Sequence, residues 1–199
     1  VITNSLYEAN DVYNRLLNYT NKVLFFPMDD FITSEVTDIS PEFVIDRLTT
    51  LNKLLGSGKY IVVTNLMGIL RYLPNTKLYK NKIIDINKDM DIDRDDFINK
   101  LFDLGYEKKP VVSRTGEMAI RGYVIDIFPI EFDNPIRIEF WGDTIDSIKY
   151  FDLEDQISNT SVDSVKIYPY TEFLIDGKIE DNIIRKQKYL LNYSDSVSG

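Results

Sequence analysis

The sequence contains no cysteine and no histidine among its 199 residues. The lack of cysteine excludes disulfides and thiolate metal sites, and it fits a reducing, cytoplasmic compartment. The lack of histidine removes the commonest general base near neutral pH and the usual nitrogen ligand of zinc, copper and iron. A Ser-His-Asp triad is therefore impossible, and we expect no catalytic residue, no bound cofactor and no metal site in this chain.

Long apolar runs and excess positive charge are missing as well. No stretch approaches the roughly 20 apolar residues that span a membrane, so we expect no membrane partner. The net charge of −9 repels a phosphate backbone, which makes tight binding of duplex DNA unexpected. A local stripe of Lys77, Lys80 and Lys82 leaves direct DNA binding as an alternative.

The chain begins with Val1-Ile2-Thr3-Asn4, which contains neither a Met nor a basic segment followed by an apolar run. We therefore expect no signal peptide. These residues are typical of a strand interior, which suggests a piece of a longer protein.

The first 85 residues alternate between helical and extended patterns. Apolar spacing predicts a helix from Asn4 or Ser5 through Tyr19, and Ser40-Pro41-Glu42 begins a second helix that Gly56 ends. Apolar runs predict buried strands at Val23–Phe26 and at 60–64, as in a parallel sheet. A further short helix is expected from Leu66 to Leu73. Residues 1–85 are therefore interpreted as an α/β domain.

Residues 86–170 have a different pattern. A helix is predicted from Arg94 to Leu104, closed by Gly105, and mostly short antiparallel strands follow from Val111 to Tyr168. The alternation in 136–140, the turn at 141–143 and the return at 145–151 predict a hairpin. Residues 171–199 are predicted to be a helical segment, over 179–193, and a tail. The sequence thus predicts an α/β domain, an inserted β-rich α+β domain and a returning helix.

Motifs that would bind nucleotides or metals are weak. Gly56-Ser57-Gly58-Lys59 follows a helix and lacks the spacing of a phosphate loop, so we expect a helix end and a turn, with no ATP binding. Asp29-Asp30 follows a strand where magnesium ligands could lie. The acidic residues between 91 and 96 lack the glycine and the terminal acid of a calcium loop. A solvated acidic face at a helix start is the favoured interpretation.

A longer motif begins at Gly116. Two glycines flank a strand that carries one arginine, and the next apolar strand ends at a proline. The segments that carry the longer motif are, in chain order, Gly105-Tyr106, Gly116-Glu117, Arg121-Gly122, Asp126-Ile127-Phe128-Pro129, Arg137-Ile138-Glu139-Phe140, Gly142-Asp143, Ile145-Asp146-Ser147-Ile148, Tyr150-Phe151-Asp152 and Ile167-Tyr168-Pro169. This order resembles the module shared by the excinuclease helicase subunit UvrB and the transcription-repair coupling factor Mfd.

Upstream residues favour the coupling factor over UvrB. They are Phe26-Pro27-Met28-Asp29-Asp30, Ser40-Pro41-Glu42, Arg47-Leu48, Leu51 and Arg71-Tyr72-Leu73-Pro74. The resemblance covers essentially the whole chain. The chain departs from the family pattern at Met118, Tyr123, Trp141, Lys108 and Ile157, where the family usually has Phe, Gly, Phe, Arg and Arg.

The resemblance implies a degenerate, truncated helicase-like (RecA-like) α/β domain that has lost its nucleotide site, with the inserted β-rich domain docking the damage-recognition ATPase UvrA. ATP, magnesium, duplex DNA and RNA polymerase would be bound by other domains of a longer translocase. A UvrB-type helicase fragment is the alternative.

The resemblance also places the UvrA-docking patch around Arg121, with Arg114, Arg137 and Phe128 nearby. Arginine suits an interface because its planar guanidinium binds carboxylates through two bonds. The alternative is structural: Arg121 and Arg137 would only pair with Glu117 and Glu139 on the sheet. Phe128, before a proline in an apolar strand, would then belong to the core.

Overall fold

The computed structural model describes residues 1–30 and 40–174, and these residues form a mixed α/β protein with three sheets. The helices are α1 (Leu6–Leu17), α2 (Pro41–Leu54), α3 (Leu66–Ile69), α4 (Thr76–Lys82) and α5 (Arg94–Asp103). The strands are β1 (Ile2–Thr3), β2 (Val23–Phe26), β3 (Ile61–Asn65), β4 (Ile84–Asn87), β5 (Glu107–Lys108), β6 (Glu117–Arg121), β7 (Val124–Ile127), β8 (Ile136–Trp141), β9 (Thr144–Phe151), β10 (Ser158–Ser161) and β11 (Ser164–Ile167). The expected mixed α/β class is confirmed.

The first sheet has three strands in the order β1-β3-β2, and both pairs are parallel. Helix α1 begins at the cap Ser5, whose side chain accepts a hydrogen bond from the Glu8 N–H. Its apolar side packs on Val23, Phe25 and Val63 of the sheet. Burial of this apolar face holds the small α/β unit together.

The second sheet has six strands in the order β10-β9-β8-β7-β6-β5, antiparallel except for the β5–β6 pair. Alternate side chains of its central strands point into the main core. They are Met118, Ile125, Ile127, Ile136, Ile138, Phe140, Ile145 and Ile148. Residues of the other parity lie on the opposite face.

Helix α5 and the two-stranded sheet β11-β4 cover the apolar face of the six-stranded sheet. Asp93 caps α5 by accepting a hydrogen bond from the Asp96 N–H at 2.8 Å. Phe97 and Leu101 of α5 are fully buried in the core, and Phe97 packs against the Phe140 ring. On the opposite face of the sheet, a smaller core of Val112, Ala119, Phe128 and Phe151 covers part of the surface.

A buried ion cluster ties the two parts together. Glu172, just after the β-rich region, accepts hydrogen bonds from Arg47 of α2 at 2.7 Å and from Arg71 at 2.5 Å. Asn52 of α2 donates to Glu131 at 2.6 Å and accepts from the Tyr79 hydroxyl at 2.7 Å. The chain therefore returns from the β-rich region onto the α/β unit.

Several sequence predictions differ in detail from the structure. The first helix ends at Leu17 instead of Tyr19, the helix that starts at Leu66 ends at Ile69, and α4 was not predicted. Strand β4 (Ile84–Asn87) crosses the predicted domain boundary between 85 and 86. The helix predicted over 179–193 lies outside the described residues. Among the described residues, no helix is long and apolar enough to cross a membrane.

Candidate docking surface

Strand register places five charged side chains on the face of the six-stranded sheet opposite the core. Asp126 of β7 lies opposite Arg137 of β8, which lies opposite Lys149 of β9. Val124 of β7 lies between Arg121 of β6 and Glu139 of β8. Because side chains alternate along a strand, all of these residues project from one side. We call Arg121, Asp126, Arg137, Glu139 and Lys149 the charged face.

The centre of the charged face is the carboxylate of Asp126, which is 1% exposed. Arg137 binds it through two bonds, Nε to Oδ1 at 2.7 Å and Nη2 to Oδ2 at 3.0 Å. Arg121 also donates to Oδ2 of Asp126. One carboxylate thus holds two guanidinium groups, which leaves this group of three side chains with a net charge of +1.

Arg137 and Arg121 differ in how many of their hydrogen-bond donors have partners. Arg137 also donates to the Gln156 carbonyl at 3.2 Å and lies 4.6 Å above the Phe151 ring. Its hydrogen bond to Asp126 raises the pKa of Arg137 above its ordinary value. Arg121, by contrast, has a side chain that is 47% exposed. Within the described part of the chain, the bond to Asp126 is the only side-chain hydrogen bond of Arg121.

Glu139 and Lys149 extend the charged face across β9. The Glu139 carboxylate accepts hydrogen bonds from the Lys149 ammonium at 2.8 Å and the Ser147 hydroxyl at 2.6 Å. These bonds, that from Lys149 above all, lower the pKa of Glu139 below its ordinary value. On the charged face, the Glu139 carboxylate of β8 is thus paired with Lys149 of β9, as the Asp126 carboxylate of β7 is paired with Arg137 of β8.

Arg114 lies in the loop before β6, and its side chain is mostly exposed. It donates from Nε to Glu117 at 3.2 Å, and the backbone and hydroxyl of Ser113 bind the same carboxylate. Burial raises the pKa of Glu117, but the hydrogen bonds from Ser113 and Arg114 outweigh it and hold that pKa below its ordinary value. Arg114 is thus available to a partner while Glu117 orders the loop.

Phe128 lies in a small core, with Val112, Ala119 and Phe151, and is 8% exposed. This is the core position that its place before Pro129 suggested. Its burial leaves little of the ring for a partner to contact.

The structure corrects the ion pairs expected for the structural alternative. Arg121 pairs with Asp126 and not with Glu117, and Arg137 pairs with Asp126 and not with Glu139. Sequence reasoning missed Asp126 as their shared partner. The signal was present, because Asp126 is the one acidic residue in the apolar run 124–127 and has the parity that faces away from the isoleucines.

Asp30 and Asp91, which were considered as metal ligands, have structural partners. Asp30 accepts hydrogen bonds from the Leu6 N–H and the Asn65 amide, both at 2.8 Å, and Asp91 accepts from the Thr144 hydroxyl at 2.6 Å. No group of three or more acidic side chains that could hold a metal ion occurs in residues 1–30 and 40–174.

The three lysines considered for DNA binding do not form one stripe. Lys77 and Lys80 lie on α4, whereas Lys82 falls on another side of this helix, and its ammonium lies 3.8 Å from the Asp103 carboxylate.

Comparison with known proteins finds similarities to the β-rich region and to most of the chain. Residues 84–173 match the family model of the UvrB interaction domain. The chain is 32% identical over 196 residues, 98% of its length, to a protein named transcription-repair-coupling factor from Staphylococcus epidermidis. It is 36% identical over 181 residues to the protein of that name from Staphylococcus haemolyticus, and 34% identical over 190 residues to one from Staphylococcus aureus.

The chain spans between 15% and 17% of the length of these three relatives, while they match between 90% and 98% of the chain. The resemblance to the module that UvrB shares with the coupling factor is therefore confirmed. The whole charged face lies within residues 84–173, the segment that matches this family model.

Proposed function

We propose that this chain, which carries a UvrB interaction domain over residues 84–173, is a non-catalytic docking unit that recruits UvrA in transcription-coupled nucleotide excision repair. The observation that supports this proposal is the arrangement around Asp126. Two arginines share one buried carboxylate there, and one of the two guanidinium groups is half exposed.

Arg121 is the residue best suited to contact the partner. A guanidinium has five N–H donors, and Arg121 uses one of them on Asp126. The remaining donors can bind a carboxylate of UvrA through two bonds, a geometry that lysine does not provide. The bond to Asp126 also restricts the side chain before it binds, which reduces the entropy lost in the complex. Arg137 is less suited, because Nε, Nη1 and Nη2 all have partners.

The test is calorimetric titration of this chain with purified UvrA. Arg121→Ala should weaken binding by about 2 kcal/mol, roughly thirtyfold, because the partner's carboxylate loses its two bonds. Its melting temperature should change little, since Asp126 keeps Arg137. Arg15→Ala is the matched control: Arg15 is an exposed arginine on α1 that also pairs with one aspartate, Asp11 at 2.8 Å. It should leave affinity unchanged.

Two results would count against this function. A wild-type chain that does not bind UvrA would refute the docking role. An Arg121→Ala variant that binds like wild type but melts at a lower temperature would show that Arg121 only stabilises the sheet. In that case Arg114 is the next residue to substitute, because its side chain is also exposed.

The same proposal extends to the longer protein. Its relatives are named transcription-repair-coupling factors, which favours this assignment over a UvrB-type helicase. We propose that other domains of a cytoplasmic, ATP-dependent translocase bind ATP, magnesium, duplex DNA and RNA polymerase. Residues 1–85 would be the remnant of a helicase-like domain. Titration of this chain with Mg-ATP should show no binding, and micromolar binding would contradict the non-catalytic role.

A further inference from the structure

The net charge of the chain is unevenly divided along its length. Residues 1–85 contain nine lysines and arginines and nine acidic residues, so the net charge of −9 comes entirely from residues 86–199. The excess negative charge that disfavours a phosphate backbone therefore belongs to residues 86–199. For the α/β unit, the local arrangement of charged side chains decides which ligands can approach.

Three lysines of the α/β unit lie at the edge of the sheet where β2 and β3 begin. Because β2 and β3 are parallel, their first residues share this edge, and the Ile61 N–H donates to the Lys22 carbonyl at 2.8 Å. Lys22 directly precedes β2, and Lys59 lies two residues before β3. Lys53 joins them from the last turn of α2. We call Lys22, Lys53 and Lys59 the lysine cluster.

The lysine cluster surrounds a recess of about 320 Å³. Its lining consists of the three lysines with Asn21, Gly58 and Tyr60, and all six residues are exposed. Within residues 1–30 and 40–174, no acidic residue lines this recess and none of the three lysines forms an ion pair. Three like charges around one recess repel each other, and a bound anion would relieve that repulsion.

Two tyrosines accompany the lysine cluster. The Tyr60 ring lines the recess and lies so close to Gly58 that a Cβ added there would be 2.4 Å from it. Tyr19 follows α1, is 86% exposed, and donates its backbone N–H to the Leu16 carbonyl at 3.0 Å. Cationic side chains beside exposed aromatic rings are typical of surfaces that bind single-stranded nucleic acid, where cations contact phosphates and rings stack on bases.

The end of helix α2 accounts for only one of these lysines. A cation in the last turn of a helix is stabilised by the helix dipole, which explains Lys53. This effect fades beyond the last turn, and Lys22 and Lys59 lie in the segments that lead into β2 and β3. The convergence of all three on one recess therefore needs another explanation.

We propose that the lysine cluster, Tyr19 and Tyr60 bind single-stranded nucleic acid, with phosphates on the ammonium groups and bases on the tyrosine rings. All five residues lie outside the segment 84–173, so this site is separate from the charged face and does not depend on the proposed function. Duplex DNA fits less well, because its bases are already stacked on one another and cannot stack on the tyrosines.

The experiment measures the fluorescence anisotropy of a labelled 20-nucleotide oligothymidylate titrated with this chain at low salt. A variant with Lys22→Ala, Lys53→Ala and Lys59→Ala should bind at least about tenfold more weakly. Each phosphate contact on a single strand contributes about 0.7 to the slope of log affinity against log salt, so the slope should fall by about 2. Thermal melting checks that the variant folds, as expected for substitutions at three exposed positions.

The matched control changes the net charge by the same amount elsewhere. Lys88, Lys100 and Lys108 are exposed lysines of the β-rich region and form no ion pair in the described part of the chain. Their triple alanine variant should bind the oligonucleotide like wild type. Equal losses in the two triple variants would show a general effect of charge and would overturn the proposal.

Base stacking is tested at Tyr19. Tyr19→Ala should weaken binding of the oligothymidylate about tenfold, as expected for the loss of one stacked base. It should leave unchanged the weaker binding of an abasic oligonucleotide of the same length. Tyr7→Ala is the matched control, because Tyr7 is 83% exposed near the opposite end of α1.

Three further results would overturn the proposal. The first is a wild-type chain that does not bind the oligothymidylate at low salt. The second is equal affinity for a 20-base-pair duplex with no loss in Tyr19→Ala, which would show phosphate contacts without stacking. The third is equally tight binding of poly-aspartate, which would assign the lysine cluster to an acidic protein. None of these results bears on the titrations with UvrA, which test the charged face.

Discussion

The carboxylate of Asp126 orders two arginines with a single buried group. Burying a carboxylate is costly unless cations and hydrogen bonds compensate it, and Arg137 supplies two of these bonds. The contribution of Arg121 is smaller, because its exposed guanidinium is already well solvated. The same arrangement therefore makes Arg137 a structural residue and leaves Arg121 able to bind a partner at little cost to the fold.

Glu117 offers a test of the loop that carries Arg114. Glu117→Gln should lower the free energy of unfolding at neutral pH by about 2 kcal/mol, because charged hydrogen bonds from Ser113 and Arg114 are lost. The folded-state pKa of Glu117 is lowered, so its stabilisation is present above the ordinary pKa of a glutamate and is lost as pH falls through the lowered value.

Urea unfolding from pH 7 down to about pH 3 measures this effect. The stability difference between wild type and Glu117→Gln should be largest at neutral pH and should shrink in acid. Glu154→Gln, at an exposed glutamate, is the control and should give the wild-type curve. A Glu117→Gln difference that stays constant over the whole range would contradict the assigned role of the charge.

At the scale of elements, the successful predictions came from local patterns, and the failed ones concerned elements that lack an apolar pattern or depend on strand pairing. Helix α5 was predicted at Arg94–Leu104 and is found at Arg94–Asp103, because the cap, the apolar spacing and Gly105 are all visible in sequence. Helix α4 was missed because it is mostly polar. The parallel β5–β6 pair could not be predicted, since two polar residues carry no pattern and their partner is set by the tertiary fold.

The charged face shows the same difference between local patterns, which are visible in the sequence, and strand pairing, which is not. Period-two alternation in β7 and β8 is visible in sequence, and it separates the isoleucines from Asp126, Arg137 and Glu139. Which acid meets which arginine depends on strand register. The two-residue loop at Gly122 aligns Arg121 with Val124, and the β7–β8 pairing aligns Asp126 with Arg137. A local reading therefore chose Glu117 and Glu139, the nearest acids along the chain.

Gly116 lies between the loop that carries Arg114 and strand β6. Substitution of Gly116 tests how closely the returning segment around Tyr170 packs against this strand. Its φ is +89°, and an added Cβ would lie 2.1 Å from the Tyr170 ring. Gly142 also has a positive φ of +63°, but nothing lies within 4 Å of its Cβ position. Gly142→Ala should therefore cost about 1 kcal/mol, and Gly116→Ala about 3 kcal/mol because Tyr170 must also move. Urea midpoints measure both, and equal losses would show that Tyr170 does not restrict this site.

At the scale of the whole molecule, the two units are joined by polar groups that are shielded from water. Arg47 and Glu172 are both almost fully buried, and Arg71 completes the cluster while lying 5.2 Å from the Phe173 ring. Arg47 also donates to the Pro27 carbonyl at 3.0 Å, at the end of β2. Ion pairs of this kind specify one arrangement, because any other orientation would leave buried charges without partners.

Glu172→Gln should lower the free energy of unfolding by about 3 kcal/mol or more, because it leaves the Arg47 guanidinium buried without a compensating charge. Asp11→Asn is the matched control, since it removes the acid of the exposed Arg15 pair and should cost no more than about 0.5 kcal/mol. Urea unfolding followed by circular dichroism measures both. Because the cluster joins the α/β unit to the β-rich region, Glu172→Gln should also uncouple their unfolding into two transitions. A single transition with a loss no larger than that of Asp11→Asn would show that the cluster does not hold the units together.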